Sequence, residues 1–99
     1  MGFKLKLSTQ AQLDIWDVVS WYEDQQAGLG ERFNSNLNTL LFKIAESPTL
    51  YSYYQKEFRR AVVKKIPYLV IFKITQNEIV VYAIIYGGRD PKLINKRIN

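Results

Sequence analysis

The run Tyr68-Leu-Val-Ile-Phe-Lys-Ile-Thr75-Gln76-Asn77-Glu78-Ile79-Val-Val-Tyr-Ala-Ile-Ile-Tyr86 decides the fold. β-Branched and aromatic residues dominate both arms, and such side chains suit a pleated, half-buried surface. Thr75-Gln76-Asn77-Glu78 breaks the pattern over the length of a hairpin turn. The second arm, Ile79–Tyr86, is the most apolar segment of the chain, as expected of a central strand. Gly87-Gly88 ends it.

Strand character extends upstream. Tyr51, Tyr53, Tyr54 and Phe58 favour strands, and Ala61-Val62-Val63 is a further short run. Lys64-Lys65 and Pro67 separate that run from Tyr68. Proline cannot donate to a ladder, so Pro67 marks a bulge, a strand start or an edge.

The first half reads differently. Phe3-Lys4-Leu5-Lys6-Leu7 alternates with period two, predicting a strand with one buried face. Ser8-Thr9 offers an N-cap, with Gln12 three residues after Thr9 completing a capping box. Ala11, Ile15, Val18, Val19 and Tyr22 then recur at helical spacing, to about Gln25. Leu13, Trp16 and Trp21 widen that stripe, which predicts contact with more than one neighbour. Ala27-Gly28-Leu29-Gly30 reads as a turn, its glycines permitting positive φ. Phe33, Leu37, Leu40, Leu41 and Ile44 mark a second helix, stopped by Ser47-Pro48.

Two amphipathic helices joined by a short loop form an antiparallel hairpin. The expected fold is therefore α+β, with that hairpin on one face of a mainly antiparallel sheet of four to five strands. One domain spans 1–99, with a strand within 1–7, the helices over 9–47, strands over 49–87 and a basic tail over 88–99.

At 99 residues and 11.6 kDa, such a domain buries only about two-thirds of its unfolded surface, leaving little room for a deep pocket. A macromolecular partner is a more natural expectation than a buried cofactor, and no cofactor is expected. The absence of cysteine and histidine removes disulfides, thiolate nucleophiles, imidazole bases and Cys/His zinc sites. The nine acids are scattered along the chain, so no metal site is expected either. Asp14/Asp17 and Glu23-Asp24 read as a solvated helix face rather than as an acid–base pair. The alternating N-terminus is unlike a signal peptide, and the longest apolar run is far short of a membrane span. A cytoplasmic protein is the expectation.

Charge is distributed unevenly. Residues 1–48 hold four bases and six acids, whereas residues 49–99 hold ten bases and three acids, so the net +5 resides in the second half. That asymmetry suits an anionic partner, nucleic acid or acidic protein, although a solubilising face accounts for it as well. Arg59-Arg60 and Lys64-Lys65 bracket one strand. Alternation would place Arg60 with Lys64 on one face and Arg59 with Lys65 on the other. Tyr51, Tyr53, Tyr54 and Tyr86 supply stacking surfaces near these cations, a combination that single-stranded RNA favours. Cross-strand pairing within the sheet is the competing explanation.

The segment Phe58-Arg59-Arg60-Ala61-Val62-Val63-Lys64-Lys65-Ile66-Pro67-Tyr68, with the terminal Gly87-Gly88-Arg89-Asp90-Pro91, resembles the RelE/ParE superfamily of bacterial type II toxins. Ala11-x-x-Asp14-Ile15-x-x-Val18-x-x-Trp21-Tyr22 and Gly28-Leu29-Gly30-x-x-Phe33 resemble its N-terminal pattern. The resemblance implies a growth-inhibiting toxin of the plasmid-stabilisation type, held by a cognate antitoxin in a hetero-oligomer. RelE-like members cleave mRNA on the ribosome, and Arg60, Arg89 and Tyr86 would then be the catalytic groups. ParE-like members bind DNA gyrase and need no such set.

The arginine that RelE-like members carry after the strand tyrosine is Leu69 here, and the stretch where they carry a C-terminal tyrosine reads Leu93-Ile94-Asn95. Tyr86 stands where many relatives have histidine. These departures favour a ParE-like protein inhibitor over a ribonuclease; an inactive member that retains only antitoxin binding is the remaining alternative. Arg59, Arg60, Lys64, Lys65, Arg89 and Lys92 are the candidate target- or anion-binding residues, Arg60 and Arg89 being the two that match basic positions of the family. Trp16, Trp21 and Leu29 are the expected antitoxin contacts.

Overall fold

The computed structural model describes residues 2–88 and residue 96. The chain runs β1 (Lys4–Leu7), α1 (Thr9–Gln25), α2 (Leu29–Glu46), a single 3-10 turn (Pro48–Leu50), β2 (Tyr53–Gln55), β3 (Phe58–Val62), β4 (Tyr68–Thr75) and β5 (Glu78–Tyr86). The strands form one sheet in the order β1-β5-β4-β3-β2. Three neighbouring pairs are antiparallel, while β1 lies parallel to β5. The expected α+β layering is therefore present, and the sheet is mixed through its N-terminal strand. Pro67 precedes β4 and acts as a strand start.

Both helices cover one face. Their inward stripes meet alternate residues of the sheet in a core that includes Ala11, Val18, Phe33, Leu37, Ile44, Val70, Phe72, Ile79 and Val81. A smaller cluster of Phe58, Ile71, Ala83 and Ile85 lies on the opposite face. Two-residue turns join β2 to β3 and β4 to β5, with Lys56 at φ 52° and Gln76 at φ 52° taking the left-handed conformation that tight hairpins require. Among the described residues no helix is long and apolar enough to cross a membrane.

Three local features differ from the sequence reading. The N-cap of α1 is Ser8 rather than Thr9, its hydroxyl accepting from the Ala11 amide, while the Gln12 side chain donates to the Leu7 carbonyl. Of the two loop glycines only Gly28 has positive φ (93°); Gly30 lies inside α2. A Cβ on Gly30 would sit 2.6 Å from the Val19 carbonyl oxygen, so this glycine is there for the close approach of the helices. Glu23 then supplies the cap that Gly28 has no side chain to give. Its carboxylate accepts from the Gly28 amide at 2.8 Å and the Gly30 amide at 3.0 Å, placing negative charge at the start of α2.

The third concerns Asp14. β1 pairs with β5 only as far as Val81, and Tyr82 is the extra residue of a bulge between Val81 and Ala83. Beyond that point β5 has no strand on its β1 side among the described residues, and the start of α1 takes over. The Ser8 amide donates to the Val81 carbonyl at 2.9 Å, and the Ile84 amide donates to the Asp14 carboxylate at 3.0 Å. Asp14 is thus a structural acceptor rather than part of a solvated face.

Candidate functional site

The outer flank of α1 is the first candidate. Trp16 is 70% exposed and Trp21 55% exposed, with Leu13 also open to solvent. α1 does contact more than one neighbour, packing on α2 and β5, but these three residues are exposed and the hydrophobic stripe is wider than the core it meets. Burial of such side chains against a partner is worth about 1.5–3 kcal/mol each, so the flank is a ready anchor.

Trp16 and Trp21 serve different concavities. Trp16, with Ile15 and Val19, lines an open groove between the two helices, edged by Glu23 and Glu31. Trp21 lines a cleft of about 230 Å³ between α1 and the end of β5, together with Asp14, Asp17, Tyr68 and Tyr86. Five residues along a helix rotate the side chain by well over a right angle, which separates the two indoles. Leu29, half-buried at the start of α2, lines neither.

The cleft ends a ladder of rings. Trp21 meets Tyr22 edge-on at 5.1 Å, Tyr22 stacks on Phe33 at 5.8 Å, Phe33 meets Tyr68 at 5.6 Å and Tyr68 meets Tyr86 at 5.7 Å. Each such pair adds about 0.5–1.5 kcal/mol beyond its burial. Tyr86 is thereby held on the helix-bearing side of the sheet by packing.

The two arginines of β3 do not share a face. Arg59 points to the helix side and is occupied internally: it donates to the Tyr51 carbonyl at 2.7 Å and the Tyr53 hydroxyl at 2.8 Å, and stacks 4.0 Å over the Tyr53 ring. Arg60, its neighbour, is exposed on the other face, which it shares with Phe58. Lys64 and Lys65 do not continue that alternation, because β3 ends at Val62 and both lie in the turn before β4. Lys65 has φ 63° there. The expected pairing of Arg60 with Lys64 and of Arg59 with Lys65 is corrected accordingly. Arg60 and Tyr86 lie on opposite faces of the sheet. Arg89 and Lys92 fall outside the described residues, as does most of the basic tail.

The sequence reading missed Asp14, although a signal was present. Asp14 lies three residues after Ala11 and four before Val18, so it belongs to the buried stripe of α1.

With this geometry in view, comparison with known proteins is informative. Residues 5–91 match the family model described as ParE toxin of type II toxin-antitoxin system, parDE. No curated protein matches the sequence. A solved structure described as a chromosomal ParDE TA system from P. aeruginosa superposes with a TM-score of 0.76 at 12% identity, covering 85% of this chain and 95% of that one. At that identity the superposition speaks for the fold alone. The family match spans both helices and every strand except the first residue of β1. The chain belongs to the ParE toxin family of parDE type II toxin–antitoxin systems.

Proposed function

We propose that this toxin acts by binding a protein target, DNA gyrase, and that its antitoxin neutralises it by covering the exposed flank of α1. The observation that supports a binding mode of action is the separation of Arg60 and Tyr86 onto opposite faces of the sheet. RNA cleavage through a 2′-hydroxyl needs a base, a cation on the phosphorane and an acid within reach of one phosphate. Arg59, the other strand guanidinium, is already engaged by the Thr49 and Tyr51 carbonyls and the Tyr53 hydroxyl. A protein inhibitor needs instead an accessible apolar surface with charged borders, and the α1 flank is of that kind.

Trp16 and Trp21 are the anchors assigned to the antitoxin, with Leu29 at the border. Arg60, together with Arg89 and Lys92 of the tail, is assigned to the target. The purified toxin is expected to inhibit gyrase supercoiling, and added antitoxin to restore it. Primer extension on translating ribosomes is expected to show intact mRNA. Cuts in the ribosomal A site, abolished by Arg60→Ala or Tyr86→Phe, would replace this reading with a ribonuclease. Growth unaffected by expression without antitoxin would leave a protein that only binds its partner.

A further inference from the structure

A groove of about 450 Å³ lies on the far side of the molecule from α1, between α2 and the turn that joins β3 to β4. Lys43 enters it from the last turn of α2, and Lys64 and Lys65 from the turn. Asn36 and Thr39 line its α2 wall, with Leu40, Tyr51 and Val62 as its apolar part. No carboxylate lines it, and none of the three lysines forms an ion pair with a described residue. Lys6 pairs with Glu78 and Lys73 with Glu57, both elsewhere on the sheet.

The turn is fixed rather than floppy. The Val63 amide donates to the Tyr68 carbonyl at 3.0 Å, the Ile66 amide to the Val63 carbonyl at 3.2 Å, and the Tyr68 amide to the Ile66 carbonyl at 2.8 Å. Lys65 is held at φ 63°, a conformation that costs a non-glycine residue energy and that Asn or Gly would adopt more readily.

We propose that this groove docks an acidic polypeptide segment of a protein partner, with carboxylates on Lys43, Lys64 and Lys65 and an intervening apolar side chain against Tyr51 and Val62. The inference rests on the reading that the toxin works through protein contacts, but it concerns a surface separate from the α1 flank. Two observations favour a peptide over a nucleic acid. The groove sets an apolar part, Leu40, Tyr51 and Val62, beside its lysines, and the neighbouring guanidinium, Arg59, is engaged by the Tyr51 carbonyl and the Tyr53 hydroxyl. The side-chain amide of Asn36 and hydroxyl of Thr39 suit the peptide units between the acids.

The test uses the free chain and a fluorescein-labelled peptide, Gly-Glu-Leu-Glu-Glu-Leu-Gly, followed by anisotropy at low salt. Lys64→Glu and Lys4→Glu change the net charge equally but only the first touches the groove. The expected result is saturable binding that Lys64→Glu weakens roughly tenfold, the scale of reversing one or two exposed ion pairs, while Lys4→Glu changes it less than about twofold. Amide NMR shifts at Asn36, Thr39 and Lys64 should move with the peptide and stay still with its Gln-for-Glu counterpart. If Lys64→Glu fails to fold, Lys64→Gln gives the same ordering. Equal losses in the two variants, no saturable binding, or tighter and Lys64-dependent binding of an oligothymidylate would each overturn the proposal. Gyrase inhibition is read separately, so loss of one result does not carry the other with it.

Discussion

Replacing Gly30 by alanine should destabilise the fold although alanine is the better helix former. The added Cβ would lie 2.6 Å from the Val19 carbonyl oxygen, 2.9 Å from the Glu23 carboxylate and 3.1 Å from a Val19 methyl. The carboxylate can swing away, but a helical backbone carbonyl cannot. The α1–α2 gap must then open by roughly 0.7 Å to restore an ordinary carbon–oxygen contact of about 3.3 Å. Overpacking of this kind costs about 1–3 kcal/mol. Displacing Glu23 from the two amides it caps adds about 1 kcal/mol, and the helix preference of alanine returns at most about 1 kcal/mol. The net is about 2 kcal/mol, or roughly 8–16 °C in a domain of this size. Thermal and urea unfolding followed by circular dichroism would read it, with an unchanged urea slope. Gly28→Ala is the control: nothing lies within 4 Å of its Cβ, so its cost of about 1 kcal/mol is purely that of φ 93°. Gly30→Ala at or above wild-type stability would refute the close-approach argument.

Asp14→Ala should cost about 1–3 kcal/mol by stranding the Ile84 amide, and Asp14→Asn distinctly less because its carbonyl still accepts; urea midpoints measure both. Arg59→Ala should lower stability by about 1–2 kcal/mol through loss of its carbonyl and Tyr53 contacts, whereas exposed Arg60→Ala should stay within about 0.5 kcal/mol. A combined melting series on the two neighbours therefore separates a structural from a surface arginine. Trp16→Ala should leave the free protein's stability within about 0.5 kcal/mol yet weaken antitoxin binding at least about 30-fold by calorimetry. Tryptophan emission, red-shifted in the free toxin, should move to the blue when antitoxin is added; an unchanged maximum would remove both indoles from that interface.

What was legible in the sequence was whatever local chemistry alone enforces. The β4–β5 hairpin follows from two apolar arms and a two-residue polar turn, and the helical hairpin from two stripes with Ser47-Pro48 closing the second. Pairing choices were not legible. Nothing in Lys4-Leu5-Lys6-Leu7 says that its neighbour is β5, and parallel, because register is settled by the assembled layers. The same applies to the candidate site. A helical stripe reports which side chains are apolar, not which of them the fold covers, so the exposure of Trp16 and Trp21 is visible only in the structure. Alternation placed Arg59 and Arg60 on opposite faces, but it was extended past Val62 into a turn where it no longer applies. Which arginine is consumed internally depends on Tyr51 and Tyr53 arriving from an adjacent strand and loop.

The position of β5 has a consequence for synthesis. β5, the latest of the described strands in chain order, sits between β1 and β4, and the amide of Ile84 closes on a carboxylate made 70 residues earlier. Until that strand arrives, β1 has no partner and the inner surfaces of both helices have only part of their floor. Contacts of such long sequence separation form late and slow folding. A nascent chain interrupted anywhere before residue 78 therefore lacks the keystone of its sheet, and the toxin fold is assembled only once β5 has been translated.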